Sequence, residues 1–159
     1  MKRFFLLAAA LLAAWAAAAQ VRFVDAAELN LIGKAQPTPH PYHRIDTVVY
    51  KGFTKAENQQ VRCSAGLALV FKTNSTRIDL LPDYAPFVYN GASTPRVASE
   101  GFDLYIRKDG EWLYAASRAP KKRGEAYTMI SHMDSSEKEC LLYLPNYNEL
   151  TSLQVGVDE

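Results

Sequence analysis

Residues 101–115 read Gly101-Phe102-Asp103-Leu104-Tyr105-Ile106-Arg107-Lys108-Asp109-Gly110-Glu111-Trp112-Leu113-Tyr114-Ala115. Phe102, Leu104 and Ile106 fall on one side of an extended chain, and Asp103, Tyr105 and Arg107 on the other. A period of two is that of a strand with one face in a core. Asp109-Gly110 follows, and both residue types tolerate the positive φ that a two-residue hairpin turn needs. Residues 111–115 then read as the returning strand, with Lys108 and Glu111 placed to pair across the turn.

Working outward, the same pattern recurs. Residues 67–71 form a strongly apolar strand. Asn74-Ser75 suits a tight turn, and residues 76–81 return with Ile78 and Leu80 inward and Arg77 and Asp79 outward, so a second hairpin is expected with Pro82 as its stop. Residues 127–130, 140–144 and 153–157 are further short strands, and 47–50 is another candidate. Residues 21–34 read as an extended lead-in. Pro37, Pro39 and Pro41 exclude helix and central strand from that stretch. Residues 54–60 are polar and turn-like, at most one helical turn. Beyond residue 19, apolar spacing of three and four never persists for ten residues. Many short strands separated by turn signals indicate an all-β fold, an antiparallel β-sandwich.

Residues 1–19 have the form of a signal peptide: Lys2 and Arg3, a short apolar run, then small residues at 16–19, with cleavage near Ala19-Gln20. The apolar run is short for a bilayer span, so no stable membrane span is expected after cleavage. No Cys follows the small residues to carry a lipid. The expectation is an exported protein, periplasmic or extracellular, with residues 20–159 as one domain. With 48% hydrophobic residues, disorder is not expected; a net charge of +1 gives no electrostatic reason to expect nucleic acid. Export permits a disulfide between Cys63 and Cys140; burial of Cys140 as a small hydrophobe explains it equally well.

Gly101-Phe102-Asp103-Leu104-Tyr105 matches the GxDLY signature of a domain found at the N-terminus of SGNH-hydrolase-type (GDSL-like) bacterial esterases. Ser64-Ala65-Gly66 upstream, and Leu144-Pro145-Asn146-Tyr147-Asn148 before the last strand, extend the resemblance over about residues 28–159. The resemblance implies a jelly-roll topology, structural roles for Gly101, Asp103, Leu104 and Tyr105, and a catalytic domain following this one, in cis or as a separate chain. The parent reaction would be ester hydrolysis by a Ser nucleophile, with an acylated glycan as one candidate substrate.

The chain itself shows no SGNH catalytic block. Asp134-Ser135-Ser136 follows His132, but no Gly introduces it and no apolar strand leads into it. No Asp-x-x-His occurs. His40 and His43 stand three apart, but the prolines around them exclude the helix that would make the pair a metal site, and no third ligand is near. No metal and no cofactor are expected. The long connection 83–100 carries Tyr84, Phe87 and Tyr89, candidates for ligand binding or for docking on a partner domain. These three residues, with Trp112 and Tyr114, are also candidates for stacking on the C–H faces of sugars; Trp112 and Tyr114 share a strand face, so packing in the core or on the sheet is the expectation for them. The leading expectation is a non-catalytic accessory domain that packs on an esterase and aids substrate placement. The alternatives are a free-standing carbohydrate-binding module and, last, a small hydrolase.

Overall fold

A computed structural model describes residues 20–86 and 93–158. The described residues form nine strands: β1 Val21–Asp25, β2 Asn30–Ile32, β3 Ala68–Thr73, β4 Ile78–Tyr84, β5 Phe102–Lys108, β6 Glu111–Arg118, β7 Tyr127–Ile130, β8 Lys138–Tyr143 and β9 Leu150–Asp158. Two short helices, α1 Lys55–Val61 and α2 Arg96–Glu100, lie in the connections. One sheet has the order β1-β9-β4-β7 and the other β2-β3-β8-β5-β6. Every pairing is antiparallel. The chain crosses between the sheets at β1/β2, β3/β4, β4/β5, β6/β7, β7/β8 and β8/β9, which is jelly-roll winding. Leu69, Leu104 and Leu142 from one sheet meet Ile78, Leu80, Met129, Leu153 and Val155 from the other in a single core.

The 102–118 hairpin forms as the alternation requires. Asp109 and Gly110 have φ of 53° and 87°, and Lys108 faces Glu111. A bulge between Leu104 and Tyr105 shifts the register and lets both Ala115 and Ala116 pack against the core.

Several expectations need correction. The 67–81 segment is not a hairpin, because β3 and β4 belong to different sheets and residues 74–77 carry the chain over the edge of the core. Pro82 does not stop β4, which runs on to Tyr84. β7 pairs only with the start of β4, so Pro82 lies where one side of the strand is free and a missing N–H costs nothing. Residues 47–50 are a turn, not a strand: the Val48 and Val49 amides donate to Asp46 Oδ1 at 2.8 and 3.2 Å. The 21–34 lead-in splits into β1 and β2, one in each sheet. Thr54–Gln60 exceeds one turn. Glu57 N donates to Thr54 Oγ1 and Thr54 N donates to Glu57 Oε2, a capping box that starts α1. Cys63 and Cys140 are separate buried thiols; Cys63 Sγ donates to Gln59 O at 3.3 Å.

Buried tyrosines give the fold an alkaline limit. Burial, then the Asp25 charge, raises the Tyr42 hydroxyl to about 12, and burial raises Tyr84 and Tyr127 further. The unfolded chain ionises at the ordinary tyrosine value of 10.0, so stability is intact below that value and falls as pH rises toward 12. Urea midpoints at pH 9 and pH 11 should show the fall, and Tyr42→Phe should lessen its slope.

Candidate functional site

The two ends of the sandwich differ. β3 and β5 run the same way, both antiparallel to β8. One end therefore carries the Asp109-Gly110 turn, the β3/β4 connection and Asp158, whose Oδ2 accepts from Thr76 N and Oγ1 at 2.8 and 2.6 Å. The opposite end carries residues 33–66, the end of β4 with residues 85–86, and the 119–126 and 144–149 loops.

On the outer face of the five-stranded sheet the register aligns one row as Ile32, Ala68, Tyr143, Asp103, Ser117 and the next as Asn30, Val70, Leu141, Tyr105, Tyr114. Tyr105 stands between Tyr143 and Tyr114, with ring centroids 5.9 Å away on each side at interplanar angles of 81° and 75°. Tyr114 is 62% exposed and Tyr143 41%. Beyond them the Arg107 guanidinium lies 5.7 Å from the Trp112 ring and pairs with Glu139 at 3.1 Å. None of these side chains belongs to the core.

The 101–105 signature thus divides in two. Gly101 and Leu104 serve the interior, Leu104 in the core and Gly101 under the Val97 carbonyl. Asp103 and Tyr105 point outward. The Ser117 hydroxyl donates to Asp103 Oδ1 across the β5–β6 pair, and partial burial holds the Asp103 carboxyl above the usual range.

Tyr84 is buried, with 7% exposure. Its hydroxyl donates to Glu100 O at 2.7 Å and the Arg123 guanidinium covers its ring at 4.9 Å. Its ring is therefore closed to solvent. Phe87 and Tyr89 lie outside the described residues. The basic run Lys121-Lys122-Arg123, after a Pro and before a Gly, reads from sequence as a solvated loop, but Arg123 organises this region: it donates to Glu100 Oε1, Ala85 O and Asn148 Oδ1 at 2.8, 2.9 and 2.9 Å. Asn148 in turn donates to Ser99 O at 3.1 Å. The lysines beside Arg123 are exposed, as expected, and Lys122 pairs with Glu125. Nothing in the Lys-Lys-Arg run distinguishes its third member; only the fold does.

At the loop-rich end the His40 and His43 rings stack, 4.0 Å apart and 16° from parallel. His43 Nε2 is 3.0 Å from Glu149 Oε1, and Arg62 Nε is 3.5 Å from Oε2 of the same carboxylate. Burial, the largest cause for both, holds each imidazole below its ordinary value of 6.5; Lys34 adds to the effect on His40, His40 and Arg62 add to it on His43, and Glu149 opposes it on both. The folded state favours neutral rings, so this contribution is present above 6.5 and is lost as pH falls below it. The wild type should lose more stability between pH 7 and pH 5 than a His40→Gln/His43→Gln variant. Equal losses would show that the stack does not titrate with folding.

Among the described residues no three His, Cys, Asp or Glu side chains are placed to hold a metal ion. Asp134 Oδ1 accepts from Ser136 N and Oγ, and Lys138 Nζ closes the same turn. The Asp134-Ser135-Ser136 stretch is thus a local loop structure. No helix among the described residues is long and apolar enough to cross a membrane. Residues 1–19, read from sequence as a signal peptide, lie outside them.

The family model described as "GxDLY: N-terminus of Esterase_SGNH_hydro-type" matches residues 21–159. The chain belongs to this family. A putative GDSL-like lipase from Bacteroides ovatus ATCC 8483 has the same fold over 88% of this chain, with 38% identity and a TM-score of 0.83. The salicylyl-acyltransferase SsfX3 from a tetracycline biosynthetic pathway aligns over 87% of it at 18% identity and a TM-score of 0.63, a likeness of fold. The GxDLY chain spans 41% and 39% of the lengths of these two proteins. None of the curated proteins matches it.

Proposed function

We propose that this GxDLY domain is the non-catalytic accessory domain of an exported SGNH-type esterase. It packs on a Ser-dependent catalytic domain and helps to place an ester substrate such as an acylated carbohydrate. The observation that carries the reading is an apolar tip held out in water. Val48 and Val49 are 73% and 69% exposed. They are fixed there by the Asp46 turn and by the Tyr50 hydroxyl, which donates to Gln36 Oε1 at 2.8 Å. Beside them is a cleft of about 150 Å³ lined by Pro37, Ile45, Tyr50 and Phe53 among others. A rigid, uncovered apolar tip beside an apolar cleft suits packing against a second domain. The family membership and the greater length of the Bacteroides ovatus protein support the same partner.

Two measurements test the proposal. The purified chain should turn over a chromogenic acetate ester no faster than a heat-killed sample. Val48→Lys/Val49→Lys should weaken binding to the separately expressed hydrolase domain at least tenfold by calorimetry, with the melting curve of the chain unchanged. Turnover by the chain alone, or binding indifferent to both charges, contradicts the proposal.

A further inference from the structure

We propose that the outer face of β8, β5 and β6 binds a neutral carbohydrate chain, with Tyr143, Tyr105 and Tyr114 against the C–H faces of the sugar rings and Asp103 accepting hydrogen bonds from their hydroxyls. This site is separate from the apolar tip at residues 48–50 and does not depend on the accessory reading.

The face combines two chemistries that a sugar also combines. Three tyrosines stand side by side across neighbouring strands, and Leu141 and Val70 continue the row of Tyr105 on the same face. Tyrosine presents an apolar ring and a polar tip, and among the described residues no protein group bonds these three hydroxyls. Asp103 lies in register between Tyr143 and Ser117. Ser117 donates to one of its oxygens, and no Lys or Arg among the described residues pairs with it. An ionised carboxylate beside aromatic rings calls for donors, and hydroxyl donors satisfy it through charge-assisted hydrogen bonds.

Charge narrows the ligand further. The cations flanking the rings are already matched, Arg107 by Glu139 and Lys72 by Glu137. With Asp103 unmatched, the face repels phosphates and other anions. A protein covering the rings would strand the Asp103 carboxylate unless it brought a cation to that point. A polyol brings donors at every ring. β6 is an edge strand, so a chain laid across β8 and β5 can run off the sheet unobstructed.

Native gel electrophoresis through soluble xylan, galactomannan and mixed-linkage β-glucan tests this on the full chain. Migration should be retarded in at least one gel relative to a gel without polysaccharide. Tyr143→Ala and Tyr114→Ala should each reduce the retardation at least fivefold, and Asp103→Asn should reduce it as well. Tyr50→Ala, in the cleft beside the apolar tip and outside this sheet face, should leave it unchanged. Circular dichroism spectra and melts check that each variant is folded. No retardation in any gel overturns the proposal, as does retardation that survives Tyr143→Ala/Tyr114→Ala or that Tyr50→Ala lowers equally. Because the readout is migration and not hydrolysis, failure here leaves the accessory reading standing.

Discussion

Gly101→Ala is expected to cost about 3 kcal/mol, the upper part of the range for overpacking. The backbone angles are not the reason, since Gly101 has φ −84° and ψ 160°, open to any residue. The reason is space. A methyl group there would stand 2.1 Å from Val97 O, 2.8 Å from Val97 C and 2.9 Å from Val97 Cα. All three are main-chain atoms of α2, and Gly101 N donates to that same carbonyl at 3.0 Å. α2 would have to move as a unit, taking Ser99 and Glu100 out of their contacts with Asn148, Arg123 and Tyr84. For a domain whose total stability is of the order of 5–15 kcal/mol, such a loss should appear as a large drop in urea midpoint with an unchanged slope. A midpoint shift worth less than about 0.5 kcal/mol would show that the Gly101–Val97 contact is not tight. Gly110→Ala makes the contrast: nothing lies within 4 Å of its added methyl, and its φ of 87° is the sole source of strain.

Arg123→Ala is expected to cost about 3 kcal/mol, within the range for breaking a buried ion pair from one side. Glu100 is 5% exposed. Without Arg123 its nearest cation is Arg96, 3.9 Å away and itself largely in solvent. Ala85 O and Asn148 Oδ1 lose a donor at the same time. Arg123→Lys should recover little, since an ammonium cannot reach three acceptors as a planar fork does. Lys121→Ala, two residues away and exposed, should change stability by less than about 0.5 kcal/mol. Equal effects at Lys121 and Arg123 would contradict the network.

These two residues also show where sequence reading succeeds and where it stops. The β5–β6 hairpin was legible because Phe102, Leu104 and Ile106 alternate with polar neighbours and Asp109-Gly110 permits one turn type. β7, β8 and β9 were legible for the same reason. Periodicity says which face is buried but not which sheet a strand joins, so the β3–β4 corner read as a hairpin. Pro82 misled because its tolerance depends on a neighbour that ends early. Thr54 and Glu57 did carry a helix signal in their spacing, and the polarity of the segment masked it. The surface was read least well. Exposed aromatic residues were sought chiefly in the long connection, where Tyr84 proves buried, while Trp112 and Tyr114 were expected to pack and prove exposed. The outward rings lie instead on β5, β6 and β8, where Tyr105 and Tyr143 become neighbours only through register. Arg123 needed the whole fold, since its partners come from residues 85, 100 and 148.

The central claim is that this domain works as part of a Ser-dependent esterase. The most direct measurement is to label native extract of the source with a fluorophosphonate probe and capture the protein with an antibody against this domain. The account predicts a labelled hydrolase in the captured material, either as one chain well above 17.7 kDa or as a separate chain held in complex. Capture of a protein no heavier than that, with no labelled hydrolase beside it, would contradict the account.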